Sequence, residues 1–172
     1  LTGHNSAESV LVDKSSHAGR EYRISLLDST THNNRRVRVR IGQHESEDNW
    51  AFVWDAALMP LDAAAAEWHY LAVCSDALDV TVYLDGVAVD TTAYRNTADD
   101  TPITQAMLTD YGSDIHLGQD AETASSNLNT DSGVMNGHLD ALRIWNTSLS
   151  ASTIADIYRF SITGKENNLV AN

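Results

Sequence analysis

The sequence has very little cysteine and no long apolar segment, and both features narrow its class. Cys74 is the only cysteine among the 172 residues, which excludes an internal disulfide. No apolar run approaches the roughly 20 residues that a membrane-spanning helix needs, so membrane insertion is not expected. The chain starts at Leu1 without a methionine or a signal peptide. We therefore expect one domain, residues 1–172, that forms part of a longer protein.

Basic residues are also scarce. The chain has 11 lysines and arginines against 24 aspartates and glutamates, a formal charge of −13. Nucleic acids and anionic membranes repel such a surface, so neither is an expected partner. Cations suit the surface better, although strong acidity also serves solubility or a saline habitat.

Short alternating segments predict an all-β fold. Residues 36–41 read Arg-Val-Arg-Val-Arg-Ile, so Val37, Val39 and Ile41 should face the core and the three arginines the opposite side. Residues 22–26 alternate as well, and the polar residues 28–34 should form the loop that joins these two antiparallel strands. The arginine row has two interpretations. It is a solvated strand face paired with neighbouring carboxylates, or an anion site for sulfate or uronate in which Arg36 and Arg38 bind the ligand.

A second alternating segment carries aromatic residues. Trp50, Phe52 and Trp54 fall on one face of a predicted strand. Such a row either belongs to the core or stacks against sugar rings, and Trp54 is then a ligand-binding candidate. The strand around Cys74 is apolar on both faces, which favours an inert, packed thiol over a catalytic one.

The clearest local signals lie in the middle and near the end of the chain. Asp85-Gly86 between two apolar segments predicts a hairpin with a type I′ turn. The sequence Gly-His-Leu-Asp-Ala-Leu-Arg-Ile-Trp-Asn at 137–146 is apolar at most positions, as in a strand packed on both faces. Ser150 is a good N-cap for a short helix with Ile154, Ile157 and Tyr158 on its apolar side. Leu169-Val170 should pair near the N-terminal strand.

This C-terminal series resembles the signature of laminin G-like and pentraxin-like domains of the concanavalin A-like superfamily. Residues 67–73 and 80–87 are similar to the central hairpin of that family, and the resemblance covers residues 10–170. It implies an all-β jelly-roll sandwich of two antiparallel sheets with one short C-terminal helix. It also implies a recognition module of a secreted or cell-surface protein, with neighbouring domains in the same chain and a glycan, cell-surface or matrix ligand.

The resemblance extends to a calcium site. The segment Leu117-Gly118-Gln119-Asp120-Ala121-Glu122 resembles the pentraxin strand that opens into an acidic calcium loop, and Asn33-Asn34 fall where pentraxins place an Asp-Asn pair. Calcium prefers about six to eight oxygen ligands, which such loops supply. The resemblance thus implies Asp120, Glu122, Asn33 and Asn34 as metal ligands, with Gln119 and Asn33 also contacting the glycan.

Two further aspartates extend this set. Asp131 ends the same polar loop, and Asp140 falls where related families hold a structural calcium from the last strand. Asp140 also has an alternative role as an ion-pair partner of Arg143 or His138. Because Asn33 replaces an acid and the loop is longer than in pentraxins, the sequence favours one calcium or none over two. A solvated polar loop without metal is the alternative.

Catalytic motifs are absent. The acidic run at 45–48, Glu-Ser-Glu-Asp, lacks the Glu-x-Asp-x-x-Glu spacing of the sandwich hydrolases, and the seven histidines are scattered. There is no His-Glu-x-x-His motif, glycine-rich phosphate loop or nucleophile elbow. The absence of these motifs favours a non-catalytic module, and the family resemblance implies that it recognises glycan with the help of calcium. The alternatives are a structural or protein-binding spacer and a jelly-roll hydrolase or lyase without a recognisable motif.

Overall fold

The computed structural model describes residues 8–16, 19–28, 35–43, 50–56, 68–75, 80–95, 112–119, 135, 137–160 and 163–171. Most of the strands form one large antiparallel sheet. Its six members are β1 (Glu8–Ser16), β2 (Gly19–Asp28), β3 (Arg35–Gln43), β4 (Trp50–Ala56), β8 (Thr91–Arg95) and β9 (His116–Leu117). Their order across the sheet is β8-β4-β3-β2-β1-β9.

The remaining strands form two smaller units. A three-stranded sheet contains β5 (Leu71–Ser75), β6 (Val80–Leu84) and β7 (Val87–Val89). A two-stranded ribbon pairs β10 (Ile144–Trp145) with β11 (Leu169–Ala171), and helix α1 (Ala151–Arg159) lies between them in the sequence. The expected all-β sandwich of antiparallel sheets with one short helix is therefore confirmed.

The core lies between the large sheet and the three-stranded sheet. The alternation in β3 places Val37 and Val39 inward, where they are 0% and 2% exposed. They pack with Val80 and Val82 of β6, and Ile41 packs against this cluster. Burial of these apolar side chains stabilises the contact between the two sheets.

The hairpin between β6 and β7 forms as the sequence predicted. Leu84 pairs with Val87, and Asp85 and Gly86 have φ angles of 51° and 81°. Positive φ at both central residues defines the type I′ turn, whose twist matches that of the strands. Gly86 is also where helix α1 packs, because a Cβ there would lie 3.0 Å from Tyr158 Cδ1 and 3.3 Å from Ala155 Cα.

The short helix is also confirmed. The Ser150 hydroxyl accepts a hydrogen bond from the Thr153 N–H at 3.2 Å and so caps the first turn. Ile154 is the buried anchor of the helix at 1% exposure, whereas Tyr158 remains 47% exposed. The apolar stripe is therefore narrower than its periodicity suggested.

The expected two-sided strand at 137–146 is largely wrong. Only Ile144–Trp145 pairs, and residues 137–143 form no strand. Ala141 has a φ of 53°, and its N–H bonds to the Asp140 carboxylate at 2.8 Å, so the backbone turns locally instead of extending. Leu139 and Leu142 consequently stay 46% and 37% exposed.

The pairing predicted for Leu169-Val170 is wrong as well. β11 pairs with β10, through Leu169 with Trp145 and Ala171 with Ile144, and not with the N-terminal strand β1. Strand β1 has β2 on one side and β9 on the other. Both of its edges are thus used at Val12 and Asp13, and the C-terminal strand pairs elsewhere.

Candidate functional site

The sheet register brings two polar segments of the chain to the same end of the large sheet. β9 is antiparallel to β1, through Leu117 with Val12, and therefore runs in the same direction as β2. β2 continues in that direction to Asp28, which pairs with Arg35 at the start of β3. The end of β2, the start of β3 and Gln119 therefore lie toward one common end of the large sheet.

Gly118 joins the two ends of the longer segment. Its N–H donates to the Leu11 carbonyl at 3.0 Å, and its carbonyl accepts from the Met135 N–H at 2.8 Å. Its φ of 72° suits glycine, which has no Cβ to strain this conformation. The chain thus leaves at Gln119 and returns at Met135 beside one residue. We call this end of the sheet, defined by Gln119, Met135, Asp28 and Arg35, the rim.

Most predicted metal ligands lie outside the described residues. This applies to Asp120, Glu122, Asn33, Asn34 and Asp131, and the side chain of Trp54 is not described either. For Trp54 the backbone register gives only its pairing with Val39 across β3 and β4. Gln119 is described, half-buried, directly after Gly118 at the rim. The ligand set therefore stays a prediction.

Asp140 is described and is exposed in the irregular segment before β10. Its carboxylate accepts the Ala141 N–H. No group of three or more His, Cys, Asp or Glu side chains able to hold a metal occurs within the described ranges. The role of Asp140 as a calcium ligand remains a prediction.

The arginine row of β3 is only partly solvated. Arg36 is exposed and pairs across the sheet with Leu27, close to the rim. Arg38 is half-buried opposite Ser25. Arg40 is 13% exposed and bonds to both carboxylate oxygens of Glu8. The expected pairing with neighbouring carboxylates is thus present at Arg40.

Burial of charge continues on the same face of the neighbouring strands. Asp13 is 0% exposed, and its carboxylate accepts hydrogen bonds from Arg23 Nη2 and the Ser15 hydroxyl, both at 2.9 Å. Lys14 and Glu21 form a further ion pair. Sequence alternation predicts that Asp13, Glu21 and Arg23 face away from the core, but it does not predict their burial.

Glu8 shows how this network is held. Burial raises the pKa of Glu8, but the hydrogen bonds and the positive charge of Arg40 outweigh burial and keep the pKa below its ordinary value. Glu8 is therefore held as a carboxylate. Glu8, Asp13 and Glu21 each contact a cation. This is the arrangement of a structural ion-pair network, whereas a general acid needs a protonated carboxyl group at neutral pH.

A second group of side chains lies around residues 68–70, just before β5, and sequence reasoning missed it. Trp68 is 69% exposed, and its ring centroid lies 6.5 Å from that of His138. Tyr70 contacts Tyr158 of the helix, with centroids 5.9 Å apart, and burial raises the pKa of Tyr70. The tryptophan follows an apolar pattern that normally indicates core, so only the structure reveals its exposure.

Comparison with known proteins identifies the family. The profile of Laminin_G_3, in the concanavalin A-like lectin/glucanases superfamily, matches residues 1–155, and the chain belongs to this family. Among solved structures, the chain is similar to residues 221–444 of an S-layer domain-containing protein from Clostridium thermocellum ATCC 27405. The two are 18% identical with a TM-score of 0.38, over 92% of this chain and 66% of that one.

No curated protein matches the sequence. Within the described ranges, no helix has the length and apolar character needed to cross a membrane. Cys74 is half-buried in β5, with its Sγ 3.9 Å from the Leu149 carbonyl oxygen. This position agrees with the packed thiol that the sequence predicted.

Proposed function

We propose that the protein is a non-catalytic recognition module of a secreted or cell-surface protein that binds glycan at the rim with the help of calcium. The observation that carries the proposal is the common end of the large sheet toward which β2 ends at Asp28, β3 begins at Arg35 and β9 is followed by Gln119. Loops at one end of a rigid sandwich are the usual place for a binding site.

The residue types of these segments fit calcium. Asp120, Glu122 and Asp131 provide carboxylate oxygens, and Asn33 and Asn34 provide amide oxygens. These are hard oxygen donors of the kind that calcium prefers, and the ion supplies positive charge that orders sugar hydroxyls in an otherwise acidic molecule. Gln119, Arg36 and Arg38 are the proposed glycan contacts beside the metal.

Calorimetric titration with Ca²⁺, followed by glycan-array binding with and without chelator, tests the proposal. Asp120→Ala and Glu122→Ala should each weaken calcium binding about tenfold or more, and chelator should abolish the glycan binding that depends on the rim. Asp114→Ala is the matched control, because it removes an exposed acid before β9, away from the rim. A set of bound glycans that neither chelator nor the two rim substitutions change, also in a Trp68→Ala background, contradicts the mechanism.

A structural or protein-binding spacer is the second candidate. It is favoured by apolar side chains around β10 and β11, where Leu139, Leu142 and Val170 are 46%, 37% and 63% exposed. Exposed apolar patches of this kind often mark contacts with other proteins or domains. If the protein binds neither calcium nor any arrayed glycan, and Leu142→Ser lowers its self-association or its binding to a neighbouring domain, the spacer role is supported instead.

A further inference from the structure

Trp68 is more exposed than any other large apolar residue that the structure describes. It lies three residues before Leu71, where β5 begins. Indole has a large apolar surface, and leaving most of it in contact with water is unfavourable. An exposed tryptophan at the end of a strand is therefore a feature to be explained by binding.

The backbone beside Trp68 is fixed by Asp85 of the hairpin turn. The Asp85 carboxylate accepts the Tyr70 N–H at 2.9 Å, and the Asp85 N–H donates to the Tyr70 carbonyl at 2.8 Å. The second carboxylate oxygen lies 2.9 Å from His69 Nδ1. Because an ionised carboxylate only accepts, Nδ1 carries a proton in this bond. Residues 69 and 70 are thus tied to the turn by three hydrogen bonds, which pre-organises the adjacent Trp68.

The ring of His138 completes a small platform. Its plane is tilted by 42° from that of the indole, at a centroid distance of 6.5 Å. The indole thus offers an apolar face, and the exposed imidazole offers a hydrogen-bonding group beside it. An apolar face with one hydrogen-bonding group at its edge matches a pyranose, whose ring has C–H groups on its faces and hydroxyls around its rim.

We propose that Trp68 and His138 form a second, calcium-independent glycan site, in which the indole stacks on the face of a neutral sugar and His138 bonds a hydroxyl. The net charge of −13 disfavours an anionic ligand. A single flat ring on the surface suits a flat, extended chain such as a β-1,4-linked glucan, whose hydroxyls and linkages are all equatorial. Asp85 acts as a positioning residue through Tyr70 and His69 and does not touch the sugar.

Titration with cellohexaose in the presence of EDTA tests this site independently of the rim. The wild-type protein should bind with a Kd on the order of 0.1–1 mM, whereas Trp68→Ala should weaken binding at least about tenfold. Phe160→Ala is the matched control, because Phe160 is 67% exposed but lies at the end of α1. It should bind like the wild type. Maltohexaose, whose α-linkages coil the chain, should bind more weakly.

Two further variants separate stacking from folding effects. Trp68→Phe keeps an aromatic face and should retain part of the affinity. Asp85→Gly suits the positive φ of the turn but removes the acceptors for both the Tyr70 N–H and His69 Nδ1, so its affinity should fall about two- to fivefold while Trp68 stays exposed to acrylamide quenching. Equal cellohexaose affinity in wild type and Trp68→Ala overturns the proposal. Absence of binding by the wild type at 10 mM cellohexaose, roughly ten times the upper Kd, also overturns it. A third refuting result is that Trp68→Ala loses self-association while the wild type binds no sugar.

Discussion

The contact between the hairpin turn and helix α1 leads to a prediction with a built-in control. Gly86 and Gly112 have similar positive φ angles, 81° and 69°. A Cβ at Gly86 would meet Tyr158 Cδ1 at 3.0 Å and Ala155 Cα at 3.3 Å, whereas a Cβ at Gly112 would meet nothing within 4 Å. Alanine therefore strains the backbone at both positions but crowds the helix only at Gly86.

The two costs can be estimated separately. A non-glycine residue in the left-handed region costs about 1–2 kcal/mol. Alanine also lowers the conformational entropy of the unfolded chain, which offsets about 0.4–1 kcal/mol of this cost. Gly112→Ala should thus lower the free energy of unfolding by about 0–1.6 kcal/mol. Overpacking adds about 1–3 kcal/mol, so Gly86→Ala should lower it by about 1–4.6 kcal/mol.

Thermal and urea denaturation measure this difference. For a chain of 172 residues, each kcal/mol shifts Tm by about 2–4 °C, which gives about 2–18 °C for Gly86→Ala and about 0–6 °C for Gly112→Ala. In the double variant Gly86→Ala/Tyr158→Ala, the clash with the ring is removed and part of the loss should be recovered. Equal effects of the two single substitutions would refute the close packing of turn and helix.

Three other predictions concern the ion pair and the helix. Arg40→Met should destabilise the protein by about 1–3 kcal/mol at pH 7 and by much less below pH 3. The pKa of Glu8 is lowered in the folded protein, so the ion pair stabilises the fold above the ordinary pKa of Glu8, and this stabilisation is lost as the pH falls through the folded-state pKa. Equal losses at both pH values in urea denaturation would contradict this pH dependence. Ser150→Ala should cost about 1 kcal/mol and Ser150→Asp much less, because aspartate also caps, as thermal melting can show. Ile154→Ala should cost about 2–5 kcal/mol in the same assay, and a loss below 1 kcal/mol would mean that the helix does not anchor there.

Sequence reasoning succeeded where the chemistry is local. The Asp85-Gly86 turn, the Ser150 cap and the inward valines of β3 depend on neighbouring residues alone, and all three form as expected. It failed at residues 137–143, where apolar composition suggested a strand. There the positive φ of Ala141 interrupts the extended backbone, and periodicity carries no information about such a turn.

Long-range contacts were harder to predict. The pairing of β9 with β1 joins residues about a hundred positions apart, and no local signal selects it. The burial of Asp13 and Arg23 likewise depends on which segments cover the sheet. For the candidate site, the ligand role of Gln119 stays a prediction, and the exposure of Trp68 could not be inferred from a segment with the apolar pattern of a core strand.

The connection from β7 to β8, which lie in different sheets, is very short. β7 ends at Val89 and β8 starts at Thr91, so Asp90 alone carries the chain from one layer to the other. The Thr91 hydroxyl also bonds to the Val80 carbonyl at 3.3 Å, across the same corner. A one-residue connection leaves the two sheets little freedom to slide past each other at this corner, so Asp90 and Thr91 fix the spacing of the sheets there.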